Sequence, residues 1–249
     1  MKRNLLFIVL YALMVCSNLS PSANANNWIV DDGVMELTPE YTVQHIQGRP
    51  YSDVYAAFNF NPQKKLVQLR TDDALRVNGH VLQGIADARG YYYQARIPVT
   101  EGSFTFTLTR APGQIMTHSF ELPVLGISEL PKTYLPYEKL RVPVRYSEPA
   151  PYIARDSYTL QIHGTSARLD LISTTREKDN RYQIGRLPDI QDDAIVFRHI
   201  SKLAPPPGTY PVEIYRQQRV ELGKISSISR TGWATLSNTQ AFTIEVKGK

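Results

Sequence analysis

The chain has one cysteine, Cys16, in 249 residues. A lone thiol can close no disulfide within the chain and cannot supply a paired-thiolate zinc site. Long apolar runs are also scarce. The longest is LLFIVLYALMVC, Leu5 to Cys16, shorter than the roughly 20 apolar residues of a spanning helix. Glycine occurs singly at turns, so no phosphate-cradling loop forms, and no Gly-x-Ser-x-Gly elbow is present. Charge of one sign is missing too. The 28 basic and 23 acidic residues are dispersed, which argues against the basic stripe of a nucleic-acid partner. His45, His80, His118, His163 and His199 lie far apart, without the close spacing of a metal motif. Neither a metal nor an organic cofactor is expected.

What the chain does have begins at its start. Met1-Lys2-Arg3-Asn4 is a short basic head, Leu5–Cys16 an apolar run, and Ala23-Asn24-Ala25 an Ala-x-Ala exit. Together these read as a signal peptide over residues 1–25. Lipidation of Cys16 is the alternative; Leu13-Met14-Val15 before it is only loosely a lipobox. Cleavage after Ala25 would leave a chain with no cysteine and a net charge lowered from +5 to +3. Such a chain suits the bacterial periplasm or cell surface better than a disulfide-rich extracellular setting.

The remainder is rich in period-two alternation. Phe104, Phe106 and Leu108 share one face of a strand whose other face is threonine. Ala111-Pro112-Gly113 turns it back through Ile115–Leu122. Val54–Phe60, Leu66–Arg70, Ala74–Val77 and Tyr91–Ile97 alternate similarly, with Asn78-Gly79 as a tight turn. Leu140–Tyr146, Tyr158–Ile162, Ala167–Ile172, Ala194–Ile200, Tyr210–Tyr215 and Ala241–Val246 continue the series. Short strands with regular turn signals predict an all-β chain of two tandem sandwiches, residues 26–125 and 126–249, each near the usual domain size of about 100–120 residues.

A gapless internal repeat supports two copies of one unit. Gly102-Ser103-Phe104-Thr105-Phe106-Thr107-Leu108-Thr109-Arg110 matches Gly208-Thr209-Tyr210-Pro211-Val212-Glu213-Ile214-Tyr215-Arg216 in residue class. The second copy, Pro206-Pro207-Gly208-Thr209-Tyr210-Pro211-Val212, resembles the start of strand F in immunoglobulin-like domains. The resemblance implies that Tyr210 is a structural corner, its hydroxyl bonded back to backbone, with Val212 where antibody domains place a cysteine. The first copy has Phe104 and would lack that bond. The chain is similar in this to exported bacterial proteins with tandem immunoglobulin-like domains.

For function the sequence offers surfaces rather than catalytic motifs. The doublets Asp31-Asp32, Asp72-Asp73 and Asp192-Asp193 read as turns before they read as calcium ligands. Tyr91-Tyr92-Tyr93 must place aromatics on both faces of its strand. Gln217–Asn238 reads as a long turn-rich segment carrying Arg219, Lys224, Arg230 and Trp233, a cationic, aromatic surface for a partner. The expectation is therefore a non-catalytic, exported protein. It would dock a protein or glycan outside the cytoplasm, with no nucleic acid and no membrane span in the mature chain. Its alternative is a pair of carbohydrate-binding modules acting on cell-wall or surface glycan.

Overall fold

The computed structural model describes residues 28–32, 36–60, 65–71, 73–87, 90–98, 102–110, 113–136, 138–145, 156–164, 168–171, 174–176, 182–184, 194–199, 205–223 and 231–248. The expected signal peptide lies outside them. All regular structure among the described residues is β. The strands are β1 Trp28–Val30, β2 Leu37–Ile46, β3 Tyr51–Phe60, β4 Lys65–Gln68, β5 Ala74–Val77, β6 His80–Val81, β7 Gln83–Asp87, β8 Gly90–Pro98, β9 Ser103–Arg110 and β10 Gln114–Glu121. They continue as β11 Thr133–Tyr134, β12 Leu140–Pro143, β13 Asp156–Ile162, β14 Arg168–Leu171, β15 Thr174–Arg176, β16 Tyr182–Ile184, β17 Ala194–His199, β18 Gly208–Leu222 and β19 Gly232–Val246.

One large sheet runs in the order β1-β4-β3-β2-β19-β18-β13-β14-β17-β12, with β8 paired to β3, β7 to β8 and β11 to β19. A smaller sheet, β10-β9-β5-β6, lies opposite. Their inner faces share one core: Tyr41, Val43, Val54, Phe58 and Tyr93 from the large sheet, Leu75, Val77, Phe104, Phe106, Leu108 and Met116 from the small one. The β5–β6 turn is the predicted Asn78-Gly79, with both residues at positive φ, 48° and 81°. This is the conformation a two-residue hairpin turn requires. A second core gathers Leu125, Tyr134, Val142, Tyr158, Leu160, Ile195, Phe197, Val212, Ile214, Ile244 and Val246.

The sequence division at 125/126 separates most residues of the two cores, but the sheet does not break there. Strands β18 and β19, each 15 residues, pair along their whole length. At about 3.4 Å per residue this hairpin is about 50 Å long. Its even-numbered residues face inward throughout. Val212, Ile214, Ile244 and Val246 fill the second core, whereas Leu222, Ala234 and Leu236 fill the first. The tip of β19 then pairs in parallel with β2, from Trp233 opposite Glu40 to Thr239 opposite Ile46. Gly232 opens that stretch, and any Cβ there would run into the Pro39 carbonyl.

The turn-rich segment expected at Gln217–Asn238 is thus corrected: strand runs to Leu222 and resumes at Gly232. Polar residues misread as loop have a structural reason. Between the two cores the hairpin's inward positions are Arg216, Gln218 and Asn238, all buried. Arg216 Nη1 donates to the Val124 carbonyl at 2.6 Å and Asn238 Nδ2 to the Pro123 carbonyl at 3.0 Å. They satisfy the backbone of the connector passing between the cores, as buried carbonyls require.

Candidate functional site

Every strand with a buried face presents its alternate residues outward. On the large sheet those outward residues form a polar face studded with rings. On β3 they are Tyr51, Asp53, Tyr55, Ala57 and Asn59, between inward Ser52, Val54, Ala56 and Phe58. Opposite them on β8 stand Arg96 and Gln94, paired with Asp53 and Tyr55. Tyr93 faces Ala56, so the next residue, Tyr92, falls level with Ala57. On β2, Thr42 pairs with Tyr55 and Glu40 with Ala57. On β19, Trp233 pairs with Glu40 and Thr235 with Thr42. Glu221 and Arg219 of β18 complete the rows opposite Trp233 and Thr235.

One row therefore reads Tyr92, Ala57, Glu40, Trp233, Glu221 across five strands. Small Ala57 and the threonines Thr42 and Thr235 make a low floor between the rings. Tyr55 and Tyr92 lie 6.5 Å apart, centroid to centroid. Burial, then the Asp53 carboxylate and the neighbouring Tyr92, raise the Tyr55 hydroxyl pKa above its ordinary value, against the Arg96 charge. Asn59 Nδ2 donates to Glu40 at 2.8 Å, which orients both polar groups. The guanidinium of Arg219 sits 4.4 Å from the Trp233 ring centroid. Arg96 lies 4.8 Å from the Tyr51 ring and its Nε donates to Asp53 at 3.0 Å. These cation–π contacts fix ring orientation and leave N–H donors at the surface.

Of the residues expected to bind a partner, the structure brings Arg219 and Trp233 together, on strands rather than a loop. Lys224 and Arg230 lie outside the described residues. Tyr210 donates its hydroxyl to the Pro206 carbonyl at 2.9 Å. The tyrosine triplet divides as strand geometry demands. Tyr93 is buried and accepts the Leu69 N–H at 2.6 Å; Tyr91 packs 6.1 Å from Trp28; Tyr92 faces outward. Sequence reading missed Tyr51, Tyr55, Glu40, Asn59 and Arg96. The alternation Tyr51-Asp53-Tyr55 was their signal, but their grouping with Trp233 arises only from the parallel β2–β19 pairing.

The acidic doublets behave as structural groups where described. Asp31 is buried against Arg110, whose Nη2 donates to both carboxylate oxygens at 2.7 and 2.6 Å. Asp73 accepts the Arg70 N–H at 3.2 Å within a turn. No group of three or more His, Cys, Asp or Glu suited to a metal occurs among the described residues. No helix among them is long and apolar enough to cross a membrane. His118 is buried beside Tyr41, Nδ1 3.3 Å from its hydroxyl, and burial lowers its pKa.

No protein-family model matches the chain, and no curated protein matches it. Among solved structures, the chain is similar to a surface glycan-binding protein, SGBP-B of the Bacteroides ovatus mixed-linkage glucan utilization locus, solved in complex with a mixed-linkage heptasaccharide. Identity is 11%, covering 93% of this chain and 67% of that one, with a TM-score of 0.23. At that score the likeness fixes neither fold nor ligand for this chain.

Proposed function

We propose that this protein is a non-catalytic glycan-binding protein of the periplasm or cell surface, exported by the signal peptide at residues 1–25. In this reading its two immunoglobulin-like sandwiches share the β18–β19 hairpin. The outer face of the large sheet is the binding surface. One observation carries the reading: Tyr55, Tyr92 and Trp233 stand half-buried on a polar sheet face that also holds Thr42, Thr235, Gln94, Asn59 and Glu40 beside the charged Asp53, Arg96, Arg219 and Glu221. Sugar rings present apolar C–H faces and a rim of hydroxyls. Aromatic platforms meet the first; amides, hydroxyls and carboxylates meet the second. The Trp233 ring, held by Arg219, loses little side-chain freedom on binding.

Affinity electrophoresis through gels containing neutral polysaccharides tests this. The parent should be retarded by at least one of them, and Trp233→Ala should migrate as in a gel without polysaccharide while melting within about 1 kcal/mol of the parent. Equal retardation of parent and variant would remove this face from the function. A protein partner is the second reading. It is favoured by β10, the outermost strand of the smaller sheet, where Ile115 is 60% exposed and strand addition is the natural mode. Retention of a protein partner by the parent, with no retardation in any gel, would favour it.

A further inference from the structure

We infer that the aromatic face takes an oligosaccharide laid across the strands rather than a single sugar; this rests on the glycan-binding reading above. The spacing of the rings carries the choice. Trp233 on β19 and Tyr92 on β8 are level with one another, separated by β2 and β3. Three strand intervals of about 4.8 Å place them roughly 14 Å apart. A single sugar cannot reach both, whereas an oligosaccharide running perpendicular to the strands touches both and passes over Ala57 and Glu40.

The row also carries acceptors for sugar hydroxyls: Glu221 is exposed on β18, and the Glu40 carboxylate is oriented by the Asn59 amide at 2.8 Å.

Calorimetric titration of the full-length mature protein settles the question. The probes are cello-, xylo- and manno-oligosaccharides from monosaccharide to hexasaccharide. Affinity should rise at least about tenfold from disaccharide to pentasaccharide in the series that binds. Tyr92→Ala should flatten that length dependence while leaving the melting temperature near the parent value. Equal affinity for disaccharide and hexasaccharide would overturn the inference but keep the glycan reading. Failure of every probe to bind would overturn the reading on which the inference rests.

Discussion

The two copies of the Gly–aromatic–Arg motif form the same local structure and end in different architecture. In the first, β9 pairs with β10, eight residues against eight. In the second, β18 pairs with β19 over 15. Both copies bury their final arginine. Arg110 meets the carboxylate of Asp31. Arg216 lies 5.7 Å from the Tyr158 ring and donates to the Val124 carbonyl. The aromatic position differs as well: Phe104 is 1% exposed in the core, while Tyr210 reaches out to the Pro206 carbonyl. The motif thus specifies a strand with a buried end, whereas hairpin length decides whether that strand serves one core or two.

Breaking that sharing should have the largest effect. A chain ending at Ser128 retains every N-terminal strand but loses Leu222, Ala234 and Leu236 from its core and the parallel partner of β2. It should be unfolded or molten by near-ultraviolet circular dichroism and amide spectra. A cooperative melt equal to that of the whole chain would show that the first sandwich is independent of the hairpin.

The arginines sharpen the comparison next. Arg110→Met removes the charge partner of a buried carboxylate and should cost about 3–5 kcal/mol, largely recovered when Asp31→Asn is added. Arg216→Met breaks a hydrogen bond to a carbonyl and a ring contact, and should cost about 1–3 kcal/mol. Urea midpoints of the variants measure both; equal losses would mean that the two arginines do one job.

At the aromatic positions the effects are smaller and opposite in logic. Tyr210→Phe removes one hydroxyl bond and should cost about 1 kcal/mol by thermal melt. Phe104→Tyr places a hydroxyl in the first core and should also destabilise, rather than create a second corner.

Acidification separates the halves most gently. Burial favours the neutral imidazole of His118 in the folded chain. That contribution is complete above the unfolded histidine value of about 6.5 and is lost as pH falls below it toward the lowered folded pKa. The urea midpoint should fall between pH 7 and pH 5, and less so in His118→Phe. An unchanged fall in that variant would shift the cause to other groups, His45 first, since burial lowers its pKa as well.

Much of the fold was legible where one face of a strand is purely apolar. Phe104-Phe106-Leu108 and the Asn78-Gly79 turn needed no partner to be recognised. Strand β2 was not legible, because Pro39 interrupts it and its outward positions are Thr38, Glu40, Thr42 and Gln44. The upper half of the long hairpin was hidden for the same reason. Gln217, Arg219, Ser237 and Thr239 face solvent, while Arg216, Gln218 and Asn238 are polar because they bind the connector. Trp233 and Arg219 read as loop residues from the sequence, whereas they stand on the paired strands β19 and β18. Their setting beside Tyr55 and Tyr92 depends on pairing between opposite ends of the chain, which no local pattern records.

The chain has two tryptophans, and they offer the most direct measurement. Trp28 packs against Tyr91, and Trp233 stands on the outer face beneath Arg219. The indole N–H resonances report both sites in one spectrum. Addition of the hexasaccharide that binds in calorimetry should move the Trp233 signal and leave that of Trp28 in place. Movement of Trp28 alone, or shifts confined to the amides of β10, would contradict glycan binding on this face.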